Sequence, residues 1–456
     1  MRAEHAFAPT RSTAPLLSGA ASSCVVESEF VASSRRTQRP SHEHVPALDG
    51  LRGVAVLLVL FGHAPLLLAT RGSDAGGFWQ ASRGGWIGVD LFFVLSGFLI
   101  TRILIGARGS EGAFRNFWLR RALRIFPLAY AYLALLAALA WLAPGFATLR
   151  DLPAFAWAAS YLTNLHIALE GWTQPQLALL WSLAVEEHFY LLWPLAALAL
   201  PRRALGLLLV AVLVGAPWLR WSLLDHVGVR GIYVLTPCRI DTLACGALLA
   251  LAWDSAWRTT VQRAARWLAL PAFACVSGVL IAGVEAVDPA TPRWFHIGGF
   301  SAIAASFAVV CALALERSSA LARALAMPAL RAIGRISYGM YVWHALAALV
   351  VRHGLDRLGW DLGLFVSSTL WLFAVLLVAS ASYRWIEAPF LRWKDRIARR
   401  HPAAEIAIAP PASRVDREPL YELLPQPARL ADLELPFESL QRTHAPSHRE
   451  EQVTSS

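Results

Sequence analysis

The chain has 456 residues, 57% of them hydrophobic and only 16% charged, with a mean hydropathy of +0.49. Soluble domains carry about a quarter charged residues, so this deficit, together with 19 Trp, argues against a soluble fold and for an all-α polytopic integral membrane protein. The net charge of +10 is carried almost wholly by arginine, Lys394 being the one lysine, and in a membrane protein the placement of charge matters more than its sum.

Residues 1–45 are rich in Ser, Pro, Arg and Ala, lack the apolar core of a secretory signal, and read as a disordered tail. Eleven apolar stretches follow, at roughly 48–69, 85–106, 127–143, 152–169, 182–200, 204–222, 233–253, 267–285, 297–315, 336–352 and 363–386. Each is near the ~20 residues a helix needs to cross a bilayer. Arginines crowd the loops after the second stretch (Arg108, Arg115, Arg120, Arg121, Arg124), the fifth (Arg202, Arg203) and the seventh (Arg258, Arg263, Arg266). They crowd it again after the ninth (Arg317, Arg323, Arg331, Arg335) and, with Lys394, after the last (Arg392, Arg396, Arg399, Arg400).

Arginine-dense loops belong on the cytoplasmic side, and all of these share that side only if one stretch between 127 and 200 fails to cross. The stretch 152–169 is the weakest, with Pro153 near its start and Asn164 and His166 within it, so it is expected to be re-entrant or peripheral. The expectation is about ten transmembrane helices with both termini cytoplasmic. A membrane domain would cover 46–395, and 396–456 would form a second disordered tail. Five cysteines (Cys24, Cys238, Cys245, Cys275, Cys311) are scattered with no CxxC or Cys/His cluster, so neither a disulfide framework nor a metal site is expected. No Gly-rich loop suggests a nucleotide fold, and nothing marks a nucleic-acid partner.

Ionisable groups inside spans are costly and mark functional cavities. The stretch ALDGLRGVAVLLVLFGH, residues 47–63, carries Asp49, Arg52 and His63. At about 100° per residue, the eleven positions from Arg52 to His63 amount to three turns plus ~20°, so both side chains share one face, about 16 Å apart along the axis. Asp49, one turn before Arg52, is placed to orient it. GWIGVDLFFVLSGFLI adds Asp90 and Ser96, and FRNFWLRRALRIFP clusters Arg120, Arg121 and Arg124. WSLAVEEHFYLLWP brings Ser182, Glu186, Glu187, His188 and Tyr190 to the start of a span, and TPCRIDTLACGALLA carries Arg239 and Asp241. GRISYGMYVWH and SYRWIEAPF hold Tyr338, His344 and Glu387.

Together these motifs resemble the family-3 membrane acyltransferases, which modify hydroxyl groups on glycans, lipids and some secondary metabolites. The resemblance runs from about Val45 to Asp395. It rests on Arg, ten residues, His (Arg52, His63), on S-L-x-x-E-x-x-F-Y (Ser182, Leu183, Glu186, Phe189, Tyr190) and on R-x-x-R (Arg121, Arg124). It implies an acyl-CoA donor reaching the site from the cytoplasm, no resident cofactor, and a hydroxyl acceptor on a cell-envelope glycan or glycolipid. Acetyl is the default acyl group. Some relatives fuse an envelope-side esterase-like domain; residues 402–456 are expected to be too short and polar for one, leaving the chain to act alone or to hand over to a separate transferase.

Acyl transfer needs a base for the acceptor proton, stabilisation of the oxyanion and a grip on the donor. His63 is the candidate base, since imidazole titrates nearest neutral pH, and Glu186 is placed to orient it or to position the acceptor. Arg52, Arg121 and Arg124 suit the donor's phosphates, because guanidinium groups bind phosphate bidentately, while Arg120 is expected chiefly to anchor. Ser182, Tyr190, Asp90 and Arg239 are further candidates for substrate contact, with buried ion pairing as the alternative for Asp90, Arg239 and Asp241. Two apart on a helix, Arg239 and Asp241 should not pair with each other. A proton-coupled transporter is the competing function, since the same residue types build proton relays, but no inverted repeat or matched pair of broken helices supports it.

Overall fold

The computed structural model describes residues 45–68 and 80–393. The two expected tails, together with Cys24, Arg71 and the basic run of Lys394, Arg396, Arg399 and Arg400, lie outside the described residues. Every element among the described residues is helical. In chain order these are α1 (Pro46–Leu68), α2 (Ile87–Gly106), α3 (Ala113–Leu142), α4 (Leu152–Ala159), α5 (Thr163–Glu170), α6 (Leu180–Ala199) and α7 (Arg202–Val234). There follow α8 (Thr236–Trp253), α9 (Arg258–Trp267), α10 (Ala269–Ala282), α11 (Phe300–Leu315), α12 (Ala320–Leu325), α13 (Pro328–Leu358) and α14 (Leu364–Ser382).

Six helices are long and apolar enough to cross a membrane: Pro46–Leu68, Gln80–Gly106, Ala113–Leu142, Arg202–Val234, Phe295–Leu315 and Leu364–Trp393. A seventh is added if α9 and α10, bent by 55° at their junction, count as one span. The other three expected spans fall on α6, α8 and α13, which carry the Glu186–Glu187 pair, Arg239 with Asp241, and His344 among tyrosines. Their charged side chains lower the hydropathy of these three helices, and Glu187, Arg239, Asp241 and His344 are buried inside the protein. Expected boundaries also shift. The helix expected at 127–143 begins at Ala113, so that it carries the R-x-x-R arginines, and α7 runs past 222 to Val234 across a break at Gly228 (φ 66).

The stretch expected to be re-entrant forms a hairpin of two eight-residue helices, α4 and α5, each rising only about 12 Å. Asp151 caps α4 by accepting from the Ala154 N–H (3.0 Å). The chain turns over at Tyr161, the one non-glycine residue with positive φ (56°) among the described residues. There the Tyr130 hydroxyl donates to the Ala159 carbonyl (3.0 Å) and Tyr161 stacks on Phe126 (5.3 Å between centroids). After α5 returns, Thr173 donates to the same Asp151 carboxylate (3.0 Å) and closes the hairpin.

Glycines set the closest helix crossings. A Cβ on Gly97 of α2 would collide with the Leu243 carbonyl of α8, and one on Gly246 of α8 with the Val94 carbonyl of α2. Between α1 and α13, Gly334 meets the Asp49 carbonyl and Gly53 the Leu330 carbonyl. Without a hydrophobic drive between helices in lipid, such close approach is what holds them together. Large apolar side chains such as Leu207, Trp218, Phe365 and Phe373 stay exposed on the outer faces of α7 and α14, where a bilayer would cover them.

Candidate active site

Helices α1, α2, α3, α6 and α13 converge on a cavity of about 100 Å³. Arg52, Ser96, Arg121, Arg124, Ser182, Glu186, Tyr190, Tyr338 and Tyr341 line it. A second cavity of about 180 Å³ shares Arg52, Arg121 and Arg124 with the first and adds Arg120 and Phe117. Arg120, expected chiefly as an anchor, therefore also faces this space. The site opens on four guanidinium groups in its second chamber and sets one carboxylate, Glu186, against three of them in the first.

The polar wall is ordered by hydrogen bonds. Ser96 Oγ donates to Glu186 Oε1 (2.5 Å) and accepts from the Tyr190 hydroxyl (3.2 Å). Arg121 lies over the rings of Tyr190 (5.6 Å) and Phe117 (5.8 Å), which fixes its guanidinium plane while leaving its N–H groups for the cavity. Arg52 Nη1 sits 3.5 Å from Asp49 Oδ1, one turn before it, as expected from the spacing. The Tyr341 hydroxyl donates to the Leu179 carbonyl (2.7 Å), so across the 2.6 Å contact between Ser182 and Tyr341 the serine is the donor. The Tyr338 hydroxyl donates to the Ile125 carbonyl (2.8 Å).

His63 lines neither cavity. It stands on the α1 face that carries Arg52, three turns further along, and its Nδ1 lies 2.8 Å from the Val59 carbonyl. A carbonyl can only accept, so Nδ1 carries the hydrogen and the neutral ring keeps its lone pair on Nε2. Among the described residues no hydrogen bond joins His63 to Glu186, expected to orient it or to position the acceptor; the Glu186 carboxylate accepts from Ser96. The ring beside His63 is His344 of α13, 4.9 Å away between centroids, and His344 in turn lies 5.7 Å from the cavity-lining ring of Tyr341.

Asp90 and Arg239 are fully buried and ion-paired to each other, with Arg239 also over the Phe300 ring (4.3 Å). Asp241 pairs instead with Arg220 (3.0 Å) and accepts from Ser301 (2.5 Å), so Arg239 and Asp241 are separate, as the spacing required. Neither Asp90 nor Arg239 lines either of these two cavities. They tie α2 to α8, the buried ion pairing that stood as the alternative to substrate contact. Asn164 donates to Thr236 (2.9 Å) and His166 stacks on Trp157 (5.8 Å), which makes both part of the hairpin's own packing. Sequence reasoning missed Tyr341 as part of the wall and His344 as the neighbour of His63. The spacing of Tyr338, Tyr341 and His344 along one face of α13 was the available signal.

Three comparisons complete the picture. A family model described as an acyltransferase domain matches residues 45–384. The chain is 30% identical over 375 residues to a Bacillus subtilis (strain 168) protein named "Putative peptidoglycan O-acetyltransferase YrhL", a match that covers 76% of this chain and 55% of the relative. It is 28% identical over 378 residues to the peptidoglycan O-acetyltransferase OatA of Listeria monocytogenes, covering 78% of this chain and 57% of that one. The chain thus spans little more than half the length of these curated relatives. No solved structure matches it.

Proposed function

The chain belongs to acyltransferase family 3, and on that footing we propose that it is a membrane O-acyltransferase moving an acyl group, by default acetyl, from cytoplasmic acyl-CoA to a hydroxyl of a cell-envelope glycan or its lipid-linked precursor. The observation that carries this reading is the pair of adjoining cavities walled by Arg52, Arg120, Arg121 and Arg124. Several guanidinium groups around a space closed by tyrosines and one carboxylate suit a polyanionic donor better than a neutral solute. The arginine-rich end would face the cytoplasm, in keeping with ten spans and both termini on that side. The peptidoglycan named for the relatives makes a muramyl or related sugar hydroxyl the first acceptor to try.

In this scheme the donor's phosphates rest against Arg52, Arg121 and Arg124, and its thioester arm runs along the α1 face toward His63. His63 Nε2 takes the proton of the acceptor hydroxyl as oxygen attacks the thioester carbonyl, the carbon–sulfur bond breaks, and the thiolate of CoA recovers a proton. Glu186, held by Ser96, positions the donor's polar arm. Radiolabelled acetyl-CoA, offered to the full chain in nanodiscs with and without a glycan acceptor, tests it. Saturable binding with CoA release that vanishes in His63→Ala is expected; well-folded protein that binds no acetyl-CoA would overturn the donor assignment and return the transporter to consideration.

A further inference from the structure

His344 is buried in α13, has no part in the scheme above, and yet its ring meets that of the proposed base. Its Nδ1 lies 2.5 Å from the Tyr341 carbonyl, so it too carries hydrogen on Nδ1 and keeps its lone pair on Nε2. No hydrogen bond among the described residues uses Nε2 of either histidine. The ring centroids are 4.9 Å apart with planes inclined by 57°.

The arrangement is held from several directions. Trp371 of α14 donates to the His344 carbonyl (2.8 Å). The glycine contacts of α13 with α1 place Gly334 at Asp49 while His344 meets His63, so the two helices run parallel and fix the rings at one level. Other titratable groups nearby are already committed. The Tyr341 hydroxyl donates to Leu179, Asp90 of α2 is bound to Arg239, Glu186 of α6 to Ser96, and Arg83 to Glu285. The sequence of α14 carries no titratable side chain.

We propose that His344 is a positioning residue for the reaction, forming with His63 a pair of adjacent buried imidazoles that carries no more than one proton. The inference rests on His63 being the base. When His63 takes the acceptor's proton it becomes an imidazolium, and among the described residues no carboxylate is bonded to it. A neutral imidazole with a free lone pair at this distance stabilises that charge, and a second proton on the pair is excluded by repulsion between like charges. One proton enters the pair as the acceptor oxygen attacks, and the same proton leaves with the thiol.

The test compares native chain, His63→Ala, His344→Phe and His344→Gln in nanodiscs, reading acetyl-CoA binding, kcat and the pH profile of kcat. Phe fills the space without a lone pair; Gln keeps an oxygen acceptor. All four should bind acetyl-CoA alike. His344→Phe should lose about 100-fold in kcat and His344→Gln about tenfold, the size usual for a group assisting proton transfer. The acid limb should move to lower pH in the Phe variant and stay near the native position in Gln. Nitrogen-15 histidine NMR of the native chain asks the same question without a variant at 344, with His63→Ala giving the assignment: as the pH is lowered the pair should take up a single proton, with the two rings coupled to each other. Native kcat and an unmoved acid limb in His344→Phe, or two rings protonating independently, overturn the proposal while His63-dependent CoA release stands. No CoA release by the native chain overturns the base assignment and this proposal with it.

Discussion

Ser96 on α2 gives its hydroxyl hydrogen to Glu186 on α6 at 2.5 Å and receives one from Tyr190 at 3.2 Å, which makes a single directed chain from a phenol to a carboxylate across two helices. Direction matters because a carboxylate can only accept here, and the serine can then only accept from Tyr190. Glu186→Gln replaces the acceptor by an amide of the same shape and removes the one negative charge facing three cavity arginines. It should lower kcat by about 10²-fold, in the range found for groups that position or share protons. Ser96→Ala should cost about tenfold, since a charge-assisted bond contributes roughly 1.5–3 kcal/mol and the carboxylate can recover part of it from solvent in the cavity. Steady-state transfer from acetyl-CoA to a glycan acceptor reads both; native rates in Glu186→Gln would remove the carboxylate from the site's working parts.

Arg121 holds two relations at once, to the rings of Phe117 and Tyr190 and to both cavities. A lysine in its place would keep the charge and lose both the planar stacking and the forked donor geometry. Arg121→Lys should therefore raise KM for acetyl-CoA about tenfold and Arg121→Gln more, with kcat changed less than KM, as for a contact made equally in ground and transition states. The KM effect should shrink for a donor lacking the nucleotide phosphates, such as acetyl-pantetheine. An equal effect on both donors would place Arg121 at the thioester.

The sequence carried the one-dimensional part of this site. Arg52 and His63 share a helix, so 3.6-residue geometry put them on one face at a known separation, and Pro153, Asn164 and His166 marked 152–169 as unlike the other apolar stretches, though not as two short helices. Contacts between helices far apart in sequence were not legible. Nothing in α1 says that α13 lies parallel to it, so His344 had no visible partner. For Asp90 and Arg239 the sequence left substrate contact and buried ion pairing both open, because a charged residue in an apolar run does not show which opposite charge lies beside it. Helix limits were missed for a related reason. Arginine and tyrosine side chains that face the interior lower the apolar signal of α3 and α13 without ending the helix.

The crossing of α2 and α8 gives a sharp packing test. A methyl group at Gly97 would strike the Leu243 carbonyl, a backbone atom that cannot swing aside. Gly97→Ala should destabilise by about 1–3 kcal/mol, the usual cost of overpacking, seen as a lower unfolding midpoint in detergent. Gly278→Ala on α10 is the control: nothing lies within 4 Å of its added Cβ, and Ala is the better helix former by about 1 kcal/mol. It should leave the midpoint unchanged or raise it. Equal loss in both variants would mean that glycine flexibility, not close approach, is what the fold needs.

The buried pair of Asp90 and Arg239 predicts a signature different from that of the cavity residues. Both side chains are fully buried, and Arg239 spreads over Phe300 and Tyr233 as well as meeting Asp90. Removing one partner leaves the other charged and unpaired, which costs about 3–5 kcal/mol, whereas replacing both by apolar groups of similar volume can be neutral. Asp90→Leu and Arg239→Met should each sharply reduce the folded yield. The double variant should recover most of it, and whatever protein folds in each case should show native KM for acetyl-CoA. Arg220 and Asp241 form the second such pair, with Ser301 as a third member, so Arg220→Met should behave like Arg239→Met. Thermal unfolding with a donor titration separates these outcomes from substrate contact: a raised KM in a fully folded Arg239→Met would bring that arginine back to the donor, against the placement seen between α2 and α8.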